Sequence, residues 1–460
     1  MRNAASLLLL LSIPAAAQQV APPPAPSPSA PTAYQRAVAA GYKAAMLCSG
    51  LFNAGRTERQ VEADELAGIY PEYAAIVPTL AATVDRENRT VTVAWSPDMP
   101  PRWAVHRGAD RGCTTYPIGS LPAPPSPDSR RRPLEIARAD HRPWPLGDAG
   151  IAPRPARALA DRVAAAFGDA YGAGAKTTGV VVLRDGRLVA ERYAAGWGPF
   201  VSNRTWSVGK SIAGTLVGVA SAHGGPRIDA PAPIAAWKDD PRRAITLDQL
   251  LRMASGLHSD TAGNRTDAIY FGGAAVDQDA THWPIEARPG TRFRYANNDI
   301  LLAVLSLRET LGPRYRDLAP DFFHALGMNH TVAETDWAHN YVLSSQVWST
   351  ARDLARLGQF WLQDGVWDGK RLLPANWVRT MTTPSGPQPA SGPGYGATLW
   401  LFGPAQGLPE GSYAAQGNRG QYVMVIPSRR LVIVRRGEDP GPARFDVARF
   451  AADVAAAVEP

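Results

Sequence analysis

Residues 202–210 read SNRTWSVGK and place Ser207 three residues before Lys210. An apolar run at helical spacing follows between residues 212 and 220, and two glycines close it. The pattern predicts a buried helix whose first turn contains Ser207. Because residues i and i+3 lie on the same helix face, Lys210 Nζ is predicted to reach Ser207 Oγ. The N-terminal amide groups and the helix dipole would favour a negative oxygen at this position.

Lysine is rare in this chain, so the lysine next to Ser207 is a candidate for a specific chemical role. Of 48 basic residues only five are lysines, at positions 43, 176, 210, 238 and 370. Arginine stays protonated at ordinary pH, whereas a lysine can act as a base once burial or a nearby cation lowers its pKa. A Ser-x-x-Lys pair also arises by chance, so the prediction of a reactive serine depends on its helical context.

The chain of 460 residues is long enough for one large domain and a smaller one. Residues 1–17 are predicted to be a cleaved signal peptide, since Arg2 precedes an apolar core and three alanines follow it. That core is too short to span a bilayer, so no stable membrane insertion is expected. The mature protein is therefore predicted to be periplasmic or secreted.

The net charge of +7 does not indicate a nucleic-acid partner, because the arginines are scattered along the chain. The two cysteines, Cys48 and Cys113, are predicted to form a disulfide in an exported protein, and two buried thiols are the alternative. The eight histidines show no metal-ligand spacing, so neither a metal nor a cofactor is expected.

Composition divides the rest of the chain into four parts. Residues 18–32 and 121–145 are rich in proline and predict linkers. Residues 33–120 are predicted to form a small disulfide-bonded domain, and the sequence does not indicate its role. Residues 146–460 are predicted to form the large domain.

In the large domain a helix is predicted at residues 156–168, followed by a strand pair around Asp185-Gly186, a dipeptide typical of tight hairpins. A mostly helical stretch follows from about residue 226 to 393. Further strands are predicted at residues 395–402, 421–426 and 430–434, and a last helix at 442–458. This order predicts an α+β fold in which an antiparallel sheet is flanked by helices and adjoins an all-α lobe.

Two more stretches accompany the Ser-x-x-Lys pair. Tyr295-Ala296-Asn297 precedes an apolar helical pattern, and Gln416-Gly417-Asn418 lies just before a predicted strand. Each alone is compatible with a structural role. Together and in this order, the three resemble the motifs of the serine β-lactamase and D-alanyl-D-alanine peptidase superfamily. The closer resemblance is to its class C-like branch, which includes 6-aminohexanoate-dimer hydrolases and related esterases. Residues 250–257, 349–355 and 365–374 also resemble it.

The resemblance implies roles for these residues. Ser207 would be the acylated nucleophile, and Lys210 and Tyr295 would share the proton transfers. Asn297 would orient Lys210 or the substrate amide. The backbone N–H of Ser207 and one near Gly417 and Asn418 would form the oxyanion hole.

One departure separates the chain from β-lactamases and D-Ala peptidases. Those enzymes carry a Lys or His before the third-motif glycine, whereas this chain has Ala415-Gln416-Gly417. Arg419 is the candidate to replace that cation. We therefore expect a serine hydrolase acting on small amides or esters. A β-lactamase or D-Ala-D-Ala peptidase is the alternative, followed by a non-catalytic module that binds peptidoglycan or β-lactams.

Overall fold

The computed structural model describes residues 30–121, 139–259 and 266–458. The predicted signal peptide, most of the first linker and most of the second lie outside these ranges. In the parts of the chain that the structure describes, none of the helices combines the length and apolar character needed to cross a bilayer.

Residues 30–121 form a four-stranded antiparallel sheet with one long helix packed on it. The elements are α1 (Ala33–Phe52), α2 (Glu58–Ala63), α3 (Pro71–Ala74), β1 (Ala82–Asp85), β2 (Thr90–Val93), β3 (Arg102–His106) and β4 (Cys113–Thr115). A capping box between Thr32 and Gln35 begins α1, and almost all of this helix is buried. The strands β3 and β4 were not predicted, because both are buried and lack polar alternation.

The predicted disulfide is confirmed: Cys48 of α1 is bonded to Cys113 of β4. The end of α1 and the strand β4, which the disulfide connects, also contact the rest of the chain. The Glu334 carboxylate accepts hydrogen bonds from Ser49 Oγ (2.6 Å), Asn53 Nδ2 (2.8 Å) and the Cys113 backbone N–H (2.9 Å). Residues 33–120 therefore share a buried polar contact with the large domain.

The large domain is built on a seven-stranded antiparallel sheet within the described residues. From one edge to the other, its strands are β12 (Gly394–Tyr395), β13 (Trp400–Phe402), β14 (Ser412–Gly417), β15 (Gln421–Ile426), β16 (Leu431–Gly437), β5 (Thr177–Arg184) and β6 (Arg187–Tyr193). Residues 395–402 were predicted as one strand. They form two short strands instead, because the chain turns at residues 396–399, where Thr398 adopts a φ of 71°.

Helices cover both faces of this sheet, which explains why its central strands are almost continuously apolar. Val180 and Val182 of β5 face the terminal helices α4 (Arg157–Ala165) and α13 (Val447–Ala457). Val181 and Leu183 belong to the opposite core, which contains α11 (Ala351–Leu362). Successive side chains of β5 therefore point into two different hydrophobic cores, one on each face of the sheet.

An α-helical lobe lies beside the sheet, which agrees with the predicted α+β fold. Its helices are α5 (Val208–Ala222), α6 (Leu247–Leu251), α7 (Asp267–Tyr270), α8 (Val276–Asp279), α9 (Asn297–Leu311), α10 (Leu318–Leu326) and α12 (Trp377–Thr382). Short strands connect them, namely β7 (Asn203–Arg204), β8 (Val332–Ala333), β9 (Val347–Ser349), β10 (Val366–Trp367) and β11 (Lys370–Arg371). The helix α5 packs on α9 and on β14, so it lies between the lobe and the sheet.

Candidate active site

The turn before α5 presents Ser207 to the space between the sheet and the helical lobe. The strand β7 pairs with β9, and the Thr205 N–H donates to the Val347 carbonyl at 2.8 Å. Trp206 then adopts a left-handed conformation with a φ of 51°, which is unfavourable for a bulky side chain. Strain of this kind is typical of functional sites, where the surrounding structure imposes it. Ser207 follows directly and is half-buried.

Lys210, one turn further along α5, is only 1% exposed and reaches Ser207 as predicted. Its Nζ lies 2.8 Å from Ser207 Oγ, 2.6 Å from Asn297 Oδ1 and 2.9 Å from the Ser344 carbonyl oxygen. A neutral amine has two hydrogens and one lone pair. The amide and carbonyl oxygens can accept both hydrogens, which directs the lone pair at the Ser207 hydroxyl.

Burial lowers the pKa of Lys210 well below its ordinary value, and the positive charge of Arg204 lowers it further. Arg204 is itself fully buried, donates to Ser345 Oγ at 2.7 Å and lies over the Trp206 ring. A lysine with this environment can exist as a neutral amine and accept a proton.

Tyr295 lies in the same cavity as Ser207, close to Lys210. Burial raises the pKa of its hydroxyl, and a hydrogen bond with Ser207 opposes part of that rise. Its ring packs against Trp400 and Tyr395, with centroids 5.5 and 6.0 Å away, and lies 4.9 Å from Lys210 Nζ. The hydroxyl is therefore protonated and held beside Ser207, so it can donate a proton.

Gly417 ends β14 and lies directly against the start of α5. A Cβ at this position would be 2.4 Å from the Thr205 carbonyl oxygen and 3.1 Å from the Ser207 nitrogen. The absence of a side chain lets the strand approach the Ser207 amide closely. Asn418, the next residue, is exposed. The structure thus places Gly417 and Asn418 beside Ser207.

These residues line one cavity of about 480 Å³. The lining residues that belong to the three predicted motifs are Ser207, Tyr295, Asn297, Gln416, Gly417 and Asn418. The remaining lining residues are Tyr70, Trp206, Tyr270, Ser345, Trp400 and Arg444. Stretches far apart in the sequence are therefore brought together as expected.

Arg419 does not lie in this cavity. It is 7% exposed, and its guanidinium donates to the Ala67 and Asp439 carbonyl oxygens and pairs with Glu438. Arg444 lines the cavity instead, and it is exposed. Its Nη1 donates to the carbonyl oxygens of Gly441 and Ala443, both at 2.7 Å.

Sequence reasoning missed Arg204, Arg444 and Tyr70. Arg204 was visible as a cation three residues before the serine, yet its burial beside Lys210 depends on the β7–β9 pairing. Tyr70 comes from a loop without any periodic pattern. Arg444 lies in the segment predicted as the start of the last helix, but that helix begins at Val447, where the Asp446 side chain caps it by accepting from the Arg449 N–H, so Arg444 belongs to the loop before it. Among the described residues, no cluster of three or more His, Cys, Asp or Glu side chains could hold a metal ion.

Comparison with known proteins agrees with this geometry. The β-lactamase family model matches residues 159–457. A 6-aminohexanoate-dimer hydrolase from Paenarthrobacter ureafaciens is 27% identical over 305 residues, which cover 58% of this chain and 74% of the relative.

Solved structures share the fold at lower identity. A penicillin-binding protein homologue from Caulobacter crescentus superposes with a TM-score of 0.54 at 18% identity, over 67% of this chain and 98% of its own. A family VIII carboxylesterase superposes with a TM-score of 0.52 at 17% identity, also over 67% and 98%. Because the family model spans more than half of the sequence, the chain belongs to the β-lactamase family, and it is a serine hydrolase of that family.

Proposed function

We propose that the protein cleaves small amides or esters through an acyl-enzyme on Ser207. The observation that carries this proposal is the environment of Lys210 Nζ, which two carbonyl-type oxygens and the Ser207 hydroxyl surround. A serine hydroxyl is a poor nucleophile unless a base next to it takes its proton. Lys210 supplies that base in a chain where almost every other cation is arginine.

In the acylation step, the Ser207 hydroxyl proton passes to the neutral Lys210 amine while Oγ bonds to the substrate carbonyl carbon. The carbonyl oxygen becomes an oxyanion, which the N–H groups of Ser207 and Asn418 stabilise. The bond to the leaving amine or alkoxide then breaks, and the Tyr295 hydroxyl protonates the departing atom. The proton on Lys210 then passes to the deprotonated Tyr295 oxygen, so that both groups regain their starting protonation states in the acyl-enzyme.

In the second step, a water molecule attacks the acyl carbon and gives one proton to the base. The ester bond to Ser207 breaks, and its oxygen regains that proton. Free acid and free enzyme result. Asn297, which lines the cavity and accepts from Lys210, fixes the amine and offers its amide N–H₂ to the substrate.

The relative from Paenarthrobacter ureafaciens is named a hydrolase of a linear amide, and one structural neighbour is named a carboxylesterase. Both names support a test with amides and esters. The purified protein is assayed on p-nitrophenyl esters, 6-aminohexanoate dimer, D-Ala-D-Ala peptide and nitrocefin. Turnover of an ester or of the linear amide is expected, and turnover of nitrocefin alone would replace the proposal with a β-lactamase.

The second candidate, a β-lactamase or D-Ala-D-Ala peptidase, is favoured by one feature. Arg444 supplies a cation in the cavity, and such a group can recognise a substrate carboxylate. The 6-aminohexanoate dimer also carries a carboxylate, so Arg444 is compatible with either substrate class.

We further propose that the protein is exported. The Cys48–Cys113 disulfide supports this, because such bonds persist in oxidising compartments. Mass spectrometry of the mature protein from its host should give a chain that begins at Gln18. A mature chain that retains residues 1–17 would contradict export by this route.

A further inference from the structure

One wall of the active-site cavity comes from outside the part of the chain that matches the β-lactamase family. The match begins at residue 159, yet Tyr70 lines the cavity together with Ser207. Tyr70 lies in the loop between α2 and α3, and its side chain is half-buried.

Aromatic contacts connect Tyr70 to the turn that presents the serine. Its ring lies edge-on to Trp206, with the centroids 6.0 Å apart and the planes at 90°. The rings of Tyr42 and Tyr73 lie behind it at 6.5 and 6.3 Å. Tyr42 in turn packs on Phe271 of the helical lobe, with the centroids 4.7 Å apart. Edge-to-face contacts of this kind define a ring's position.

The loop that carries Tyr70 is also attached to the large domain by polar contacts. Arg419 Nη2 donates to the Ala67 carbonyl at 2.9 Å, and Asp64 pairs with Lys176. Gly68 lies so close to Pro440 that a Cβ on it would be 3.0 Å from the proline Cα. These contacts hold the loop against the segment that leads to Arg444.

From this arrangement we propose that residues 33–121 form an integral wall of the active site and that Tyr70 limits the size of the substrate group accepted there. The proposal rests on the proposed function, since it concerns the same cavity. Tyr70 and Trp206 meet at a right angle, and their rings form a corner of the cavity that Ser207 also lines. A short acyl group fits beside that corner, whereas a longer one meets the Tyr70 ring.

Chain-length selectivity tests this inference. The values of kcat/KM are measured for p-nitrophenyl acetate, butyrate and octanoate with the wild type, Tyr70→Ala and Tyr70→Phe. Removing the ring should raise the octanoate-to-acetate ratio by about tenfold or more, since a hydrophobic pocket discriminates about 10–200-fold for a single methylene group. Tyr70→Phe keeps the ring and should keep the wild-type ratio.

Tyr116→Ala is the matched control. Tyr116 belongs to the same region and stacks on Trp103, but it does not line the cavity. Its substitution should leave the ratio unchanged. If Tyr70→Ala fails to fold by circular dichroism, Tyr70→Leu takes its place, because leucine retains bulk against Tyr42 and Tyr73 while shortening the wall.

The outcomes separate the two proposals. A wild type that hydrolyses none of the esters and none of the amides contradicts the proposed function. A wild type that hydrolyses esters, together with folded Tyr70 variants of unchanged ratio, overturns the role of Tyr70 alone. An equal change of the ratio in Tyr116→Ala would also overturn it, because the effect would then not be specific to the cavity.

Discussion

Ser207 Oγ lies 2.8 Å from Nζ of Lys210, and the other two hydrogen-bond partners of that nitrogen are carbonyl-type oxygens. This geometry suits a neutral amine, whose two hydrogens go to the two carbonyl-type oxygens while its lone pair faces the serine hydroxyl. Both oxygens accept, so only the serine hydroxyl can donate to the nitrogen. Burial and the charge of Arg204 lower the pKa of Lys210, which also favours the neutral amine.

Lys210→Arg should therefore be nearly as damaging as Lys210→Ala. Arginine keeps the charge but cannot give a neutral base at any ordinary pH. We expect kcat/KM to fall by about 10²–10⁴-fold in both variants. The wild-type pH–rate profile should rise through an apparent pKa below the ordinary lysine value, a property of the coupled Lys210–Tyr295 pair.

Lys370→Arg is the control for this prediction, because Lys370 is exposed on β11. It should retain wild-type rates. A folded Lys210→Arg enzyme with near-normal kcat/KM would show that Lys210 serves only as a charge, and Tyr295 would then be the sole base.

Gly417→Ala should reduce turnover, because the new Cβ would be 2.4 Å from the Thr205 carbonyl oxygen beside the Ser207 amide. The strand or the serine turn must shift, and we expect about 1–3 kcal/mol of destabilisation together with a fall in kcat. Urea unfolding and steady-state kinetics measure the two effects. Gly198→Ala, with nothing within 4 Å of the added Cβ, is the control and should change neither.

Substitution by glutamine should affect substrate binding at Arg444 and stability at Arg419. Arg444→Gln should leave the free energy of unfolding unchanged, since the side chain is exposed, and should raise KM for carboxylate-bearing substrates relative to neutral esters. Arg419→Gln removes a buried partner of Glu438 and should cost about 3 kcal/mol or more of stability. A ratio of KM for charged substrates to KM for neutral substrates that is the same in Arg444→Gln as in the wild type would exclude Arg444 from carboxylate recognition.

The buried Glu334 should make stability depend on pH. Burial raises its pKa from 4.5 to about 7, although its three hydrogen bonds oppose the rise. The folded state then favours the protonated carboxyl. Its contribution to stability is fully present below about pH 4 and is lost as the pH rises through 7. The free energy of unfolding should fall by about 3 kcal/mol over this window from Glu334 alone.

Glu334→Gln should reduce that fall, as measured by urea unfolding at pH 5 and pH 8. The substitution should not abolish the fall, because burial also raises the pKa of Asp299 to about 7, and burial together with the neighbouring Glu438 raises the pKa of Glu65. The exposed Glu309→Gln serves as the control for loss of one negative charge. An unchanged pH dependence in Glu334→Gln would show that this carboxyl is ionised in the folded protein.

The contact between Ser207 and Lys210 could be predicted from the sequence, because it depends only on the spacing of the two residues along one helix. Ser207 and Lys210 share one helix face, and apolar spacing after them defines α5. Tyr295 and Gly417 were found through motif order. Tyr70 and Arg444 could not be found in this way, because their positions depend on loops that meet only in the folded chain. The buried β3, with an arginine and a histidine, likewise has no alternation to reveal it.

Intact-mass spectrometry after reaction with a fluorophosphonate, followed by peptide mapping, tests most directly whether Ser207 is the nucleophile. We predict a single adduct on Ser207, loss of hydrolysis in parallel with labelling, and no adduct on folded Ser207→Ala, which should also lack turnover. An adduct on another residue, or a Ser207→Ala protein that hydrolyses its substrates at the wild-type rate, would contradict an acyl-enzyme at Ser207.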